Sequence, residues 1–320
     1  MLARVYAMRG VTSPEQLDYG LAGLAPVSQL EHVDAGVDLL LKHKQQRIVV
    51  VGDFDVDGAT STALMLRCLK AFGFAEVDYL VPNRFEFGYG LSPEIVAVAA
   101  ESKPALLITV DTGISSVAGV ARAQQLGIPV LVTDHHLPAA ELPAADVVIN
   151  PNLPGSQFPS RNLAGVGVAF YLLAALGRRL AEQGDAAAAK VPARYLDLVA
   201  LGTVADVVPL DYNNRIRVQQ GLARIRAGHA VAGIRALLEM SRRQVARTVS
   251  TDLGFVVGPR LNAAGRLEDM AVGIECLLTD DLATAQQHAA LLDGINRDRR
   301  EIEASMREQA FAYVDAMDAR

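Results

Sequence analysis

The sequence predicts an α/β fold, a doubly wound and mainly parallel sheet. A helical, arginine-rich extension and a long C-terminal helix follow it. Three observations carry this. Short β-branched apolar runs recur without apolar/polar alternation, as in strands buried on both faces. Helix-like segments separate them, so β and α alternate. Several runs hand over to an acidic residue, and in such sheets ligands bind beyond the carboxyl ends of the strands.

Taken in order, residues 48–52 form a strand running into Asp53, and 60–72 a helix with Leu64, Met65, Cys68 and Leu69 at helical spacing, closed by Gly73. Residues 77–81 form a strand ended by Pro82. Ser92 caps a helix with Pro93 in its first position. Residues 106–110 lead into Asp111, 117–126 form a helix stopped by Gly127, 130–133 lead into Asp134, and 147–150 stop at Pro151. Past residue 190 the pattern changes. A helix over 195–207 delivers Asp206 at its end. Beyond Asp281 one long polar helix carries Leu291, Leu292, Ile295, Ile302 and Met306 on one side. So few apolar residues suit either a connection to a further domain or a terminal helix docked on the core.

Composition narrows the class. With 320 residues, 51% hydrophobic and 21% charged, the chain is neither disordered nor collagen-like. Its longest uncharged stretch, 162–177, is shorter than the ~18 apolar residues of a membrane span, and the N-terminus lacks an apolar signal core. Two cysteines, Cys68 and Cys276, make no disulfide framework, so a reducing cytoplasm is expected. The net charge of −6 by itself argues against a polyanion partner. Its distribution argues the other way: between Asn213 and Arg266 stand ten Arg, no Lys and two acids. Guanidinium groups favour bidentate phosphate contacts, although solvated helix faces would give the same count.

Four places carry chemistry. Asp53, Asp55 and Asp57, ahead of Gly58, are predicted to point the same way from an extended segment, a repulsion that a cation relieves. A calcium loop begins similarly but needs Glu where Leu64 stands. Asp111 alone could be a helix N-cap, and Asp206 a surface acid. Asp134-His135-His136 at a strand end is a ligand-type cluster. Together these ends deliver hard oxygens and imidazole to one sheet edge. That suits Mg²⁺ or, with the histidines, Mn²⁺, and the surplus of carboxylates suggests two ions acting on a phosphoester.

These motifs resemble the DHH phosphoesterase superfamily. The spans 81–92, 162–169 and 258–266 resemble, within it, the RecJ family of single-strand-specific 5′→3′ DNA exonucleases. The resemblance covers essentially the whole chain. It implies that Asp55, Asp57, Asp111, His135 and Asp206 bind two Mn²⁺ or Mg²⁺ ions, with Asp111 as bridge. It implies catalytic roles for His136, facing the scissile phosphate, and for Asp134 and Asp53. Arg84, Arg260 and Arg266 would contact phosphates of single-stranded DNA. With 5% aromatic residues and no Trp, Phe85, Phe87 and Tyr89 are the candidates for base stacking, although packing within a loop would equally account for them. It further implies a catalytic domain over 1–281, divided into a metal-binding core (1–210) and an arginine-rich helical part (211–281). Residues 282–320 would connect to a DHHA1-type domain absent from this chain. A monomer, acting in DNA repair and recombination beside a single-strand-binding protein and a helicase, with no membrane attachment, is the implied setting. Val51 stands where more distant pyrophosphatases place a histidine, which disfavours a pyrophosphatase. The arginine-rich segment and the RecJ-like spans argue against the wider alternative, a DHH hydrolase of short oligonucleotides, cyclic dinucleotides or pyrophosphate. Retention of every motif ligand disfavours a non-catalytic scaffold.

Overall fold

The computed structural model describes residues 2–81 and 90–318, the last four by backbone alone. Arg84, Phe85, Phe87 and Tyr89 therefore lie outside the described residues.

Five strands, β1 (Arg47–Gly52), β2 (Glu76–Leu80), β3 (Leu106–Val110), β4 (Val130–Thr133) and β5 (Val147–Ile149), form one sheet in the order β2-β1-β3-β4-β5. Every described pairing is parallel. The helices wound around them are α1 (Leu2–Met8), α2 (Val33–Lys42), α3 (Val56–Ala71), α4 (Pro93–Glu101), α5 (Val117–Gln125) and α6 (Gly165–Glu182). After them come α7 (Leu196–Ala205), α8 (Tyr212–Arg226), α9 (Ala232–Met240), α10 (Gly258–Leu267), α11 (Ala271–Leu278) and α12 (Leu282–Asp318). A π-helical turn, Leu253–Val257, leads into α10. No described helix is long and apolar enough to cross a membrane.

The missing alternation in the strands has its expected cause. Ile48, Val50, Ile108 and Val110 join a core with α3 and α6, while Val49, Val51, Leu107, Val130 and Val132 pack with Ile95, Val96, Val120 and Ala123 of α4 and α5. Each such side chain contributes about 1.5–3 kcal/mol by leaving water, so both layers are strongly held to the sheet.

Local chemistry sets the helix starts. Ser92 accepts from Ile95 N at 3.3 Å and Pro93 opens α4. Gly73 and Gly127, at φ 77° and 71°, end α3 and α5 in the left-handed region. One start differs from expectation: α3 begins at Val56, four residues before Thr60, because the Asp55 side chain accepts from Gly58 N at 3.0 Å and caps it. Asp57 thus lies in the first helical turn and not on an extended segment.

The long last helix is docked along only part of its length. Ala285, Ala289 and Leu292 are buried, whereas Ile302, Met306 and Phe311 are exposed. Among the described residues, seven of the ten guanidinium groups of the arginine-rich part bond or pair within the chain: those of Arg215, Arg217, Arg224, Arg226, Arg235, Arg243 and Arg260. Much of that charge therefore ties helices together.

Candidate metal centre

Strand register assembles the site. Gly52 pairs with Val110, Val110 with Thr133, and Thr133 with Ile149. The next residues, Asp53, Asp111, Asp134 and Asn150, consequently leave the sheet side by side. In the order 2-1-3-4-5 the direction of winding reverses between β1 and β3, where such folds open their crevice. Asp53 and Asp111 flank that point. Asp111 donates its N–H to Thr133 O at 3.0 Å and takes φ 61°, a left-handed conformation that costs a non-glycine residue free energy and recurs at functional sites. Val207, directly after Asp206, is likewise left-handed at φ 64°.

Asp57 is buried and both its oxygens accept from the start of α6, Gly165 N at 2.6 Å and Val166 N at 2.9 Å. Those are the free amides of a helix N-terminus, which favour an anion. The helix comes this close because it begins Gly165-Val166-Gly167. A Cβ on Gly165 would stand 2.5 Å from Asp111 Oδ1, and one on Gly167 would collide with the guanidinium of Arg217. Arg217 is fully buried behind that turn, bonded to Asn214 Oδ1 and lying 5.7 Å from the Tyr171 ring centroid.

His135 Nε2 lies 3.1 Å from Asp111 Oδ1, 3.6 Å from Asp206 Oδ2 and 3.9 Å from Asp57 Oδ2. Nε2, Asp111 Oδ1 and Asp206 Oδ2 are all buried, and among the described residues none makes a hydrogen bond of proper geometry. Buried polar atoms are normally satisfied. Orphans converging on one spot fit a cation. Among the described residues, three groups of ligand atoms lie within 4.8 Å of one another: Asp111, His135 and His136; Asp57, His135 and Asp206; and Asp53, Asp55 and Asp111. Asp111 and His135 each belong to two of them.

The electrostatics agree. Burial, with the charge of Asp55, pushes Asp53 up to about 7. Burial followed by neighbouring carboxylates raises Asp57 and Asp111 well above the usual carboxylate range. Burial raises Asp206, against the pull of His135, and lowers His135. Carboxylates crowded and buried in this way call for a compensating positive charge.

Asp134 has a different task. Its Oδ1 accepts from His135 N (2.7 Å), His136 N (3.0 Å) and His136 Nδ1 (2.8 Å), and its Oδ2 from Ile114 N (2.8 Å). Burial opposes its ionisation, but the bonds from His136 outweigh that and hold it below the usual range. In return the Asp134 hydrogen bond lifts His136 to about 9. Asn150 Nδ2 donates to His136 O at 2.9 Å and Asn152 Nδ2 to His135 O at 2.6 Å, fixing the backbone of both histidines.

In front of the cluster a cleft of about 550 Å³ is lined by Asp53, Phe54, Asp55, His136, Ala205, Asp206, Asn262 and Arg266. Of the predicted residues, the structure brings together Asp53, Asp55, Asp57, Asp111, Asp134, His135, His136, Asp206 and Arg266. It does not bring Arg260 into the cleft. Arg260 pairs with Asp293 at 2.8 Å and donates to Val256 O, tying α10 to α12. Asn150, Asn152, Gly165, Val166 and Asn262 were not singled out from sequence. The Asn-Pro-Asn turn and the two helix-opening glycines were the available signals.

Fold and cluster together define a DHH-type domain, and residues 47–203 match the DHH family, N-terminal domain. The single-stranded-DNA-specific exonuclease RecJ of Dickeya dadantii is 55% identical over 99% of this chain and 56% of its own length, and that of Escherichia coli 53% over the same shares. Among solved structures, an exonuclease RecJ bound to manganese is 36% identical with a TM-score of 0.80, covering 89% of this chain and 70% of its own. RecJ of Thermus thermophilus in complex with Mn²⁺ is 35% identical with a TM-score of 0.81, covering 95% of this chain and 43% of its own. The chain belongs to the RecJ family of DHH proteins. It spans 56% of the length of the RecJ proteins of Dickeya dadantii and Escherichia coli.

Proposed function

We propose that this chain is the catalytic part of a metal-dependent exonuclease that hydrolyses single-stranded DNA from the 5′ end to 5′-mononucleotides. The observation that carries the reading is the convergence of orphaned Asp111 Oδ1, His135 Nε2 and Asp206 Oδ2 beside a cleft holding Arg266. The RecJ relatives, named as single-stranded-DNA-specific exonucleases and seen with manganese, supply the substrate class.

Asp57, Asp206, His135 and Asp111 would hold one Mn²⁺ or Mg²⁺, and Asp53, Asp55 and Asp111 a second. Such a pair lowers the pKa of water and neutralises phosphoryl oxygens. The rest is the work of the chain. The α6 amides keep the Asp57 oxygens turned to the cluster. The hydrogen bond from His136 Nδ1 to Asp134 favours the protonated ring, in which His136 would donate to the scissile phosphate and could deliver a proton to the leaving 3′ oxygen. Arg266 binds the backbone at the outer wall of the cleft. Repair and recombination in the cytoplasm, beside a single-strand-binding protein and a helicase, is the setting this activity fits.

The test is Mn²⁺-dependent shortening of a 3′-labelled, 5′-phosphorylated single strand, with a duplex of the same sequence and Asp111→Ala as controls. Stepwise loss of the single strand alone, abolished by the substitution, is expected. Equal attack on the duplex, or activity without Asp111, would refute the reading.

A further inference from the structure

We propose that Asn262 is a phosphate-binding residue of the cleft, donating its side-chain N–H₂ to a non-bridging phosphoryl oxygen from the wall of the cleft that α10 forms. The proposal rests on the phosphodiester reading above and names a residue that the metal cluster does not use.

Orientation comes first. Asn262 Oδ1 accepts from Val56 N at 3.1 Å. A backbone N–H is only a donor, so the oxygen must face it and the amide nitrogen faces away. Asn262 lines the cleft, and among the described residues its Nδ2 makes no hydrogen bond. An amide with one end anchored and the other unused is poised for a ligand.

Need comes second. Asp53, Asp55 and Asp206 make the cleft's own side chains mostly acidic. An anionic phosphodiester there requires donors besides metal. Among the described residues, the side-chain donors lining the cleft are His136, Arg266 and Asn262. Asn262 is the uncharged one, so it can sit beside Asp55 without forming an ion pair that would compete with the substrate.

Rigidity comes third. α10 is pressed onto the Asp53–Asp57 loop so closely that a Cβ on Gly265 would collide with the Phe54 carbonyl. Leu261, Ala263 and Ala264, on either side of Asn262, are completely buried. A donor fixed in this way requires no reorganisation when charge arrives, the condition under which a single neutral donor matters most.

Two substitutions separate the roles. Asn262→Asp keeps an oxygen for Val56 N–H but loses the donor. Asn262→Ala loses both and adds no charge. Inorganic phosphate is titrated calorimetrically into the Mn²⁺-loaded chain, Mn²⁺ affinity is measured separately, and Mn²⁺-dependent hydrolysis of bis(4-nitrophenyl) phosphate is followed. Both variants are expected to bind phosphate about tenfold more weakly. Both should also lose about 10²-fold in kcat, while Asn262→Ala keeps the parent's Mn²⁺ affinity. Loss in Asn262→Ala alone, or in step with its Mn²⁺ affinity, would mark a purely structural residue. Loss in Asn262→Asp alone would mark charge repulsion. Either result, or parent-like behaviour of both variants, overturns the proposal, as does a parent that binds no phosphate. A parent that binds phosphate but leaves single-stranded DNA intact refutes the exonuclease reading, and the phosphate titration still decides Asn262.

Discussion

Replacing Gly165 by alanine tests the join between α6 and the metal cluster. The new Cβ would stand 2.5 Å from Asp111 Oδ1, 2.6 Å from its Cβ and 2.8 Å from its Cα. Ordinary contact begins at 3.4 Å, so roughly 0.6–0.9 Å must be found by moving a helix or a strand end. A shift of that size takes the 2.6 and 2.9 Å bonds to Asp57 to the edge of hydrogen-bond range or past it. Overpacking costs about 1–3 kcal/mol, and each weakened bond to a charged group up to about 1.5–3 kcal/mol. Alanine returns up to about 1 kcal/mol of helix propensity. The net is a destabilisation of about 2–4 kcal/mol, or a fall in Tm of about 4–10 °C for a chain of this size. Calorimetry with and without Mn²⁺ reads both consequences. At a hundredfold excess over Kd the parent gains about 2.7 kcal/mol from the metal, and the variant should lose most of that gain. An unchanged Tm with an unchanged Mn²⁺ increment would refute the claim that the α6 terminus shapes the site.

The metal-free chain should become more stable on acidification from pH 7 to 5. Asp53 at about 7, with Asp57, Asp111 and Asp206 also raised, binds protons in the folded state that the unfolded chain does not, so stability falls as pH rises through that window. His135, lowered, acts in the opposite sense and reduces the slope, whereas Asp134, held below the usual carboxylate range, titrates beneath this window. Thermal melts in EDTA check this, and a melting temperature that rises with pH would contradict it. Asp134→Ala leaves three backbone N–H groups and His136 Nδ1 without their acceptor, so about 3 kcal/mol of stability should go. His136 should then titrate near its ordinary value in NMR instead of at about 9. Arg266→Ala should weaken single-strand binding and reduce the slope of log K against log salt by about 1. Arg260→Ala should leave that slope unchanged while lowering Tm through loss of the Asp293 pair.

How legible was this in the amino acids? The strands were, because a buried parallel sheet leaves an unmistakable apolar run, and the acids at their ends followed from the rule that such sheets bind ligands at one edge. The cluster was legible because carboxylates and adjacent histidines are unusual at the ends of buried segments. Three things were not. The start of α3 depends on a cap, and capping by Asp55 competes with any reading of Asp53, Asp55 and Asp57 as equivalent. The partner of Arg260 stands 33 positions away on α12, and no local pattern announces a contact so distant. Asn262 reaches the site across 206 positions to Val56, so its role appears only when α10 is folded against the β1–α3 loop.

The Gly-Val-Gly opening of α6 also limits how this chain can be made heat-resistant. Replacing helical glycines by alanine is a standard route to a sturdier protein, worth up to about 1 kcal/mol per position. Here the first glycine faces Asp111 and the second faces the buried Arg217. Neither can be changed alone, and the second is open only to a lineage, natural or in the laboratory, that shortens residue 217 first. Most other helical glycines are closed in the same way, Gly119, Gly202, Gly221, Gly233 and Gly265 among them, whereas a Cβ on Gly294 of α12 would meet nothing within 4 Å. Heat resistance by this route is open there, and the order in which substitutions arrive matters as much as their identity.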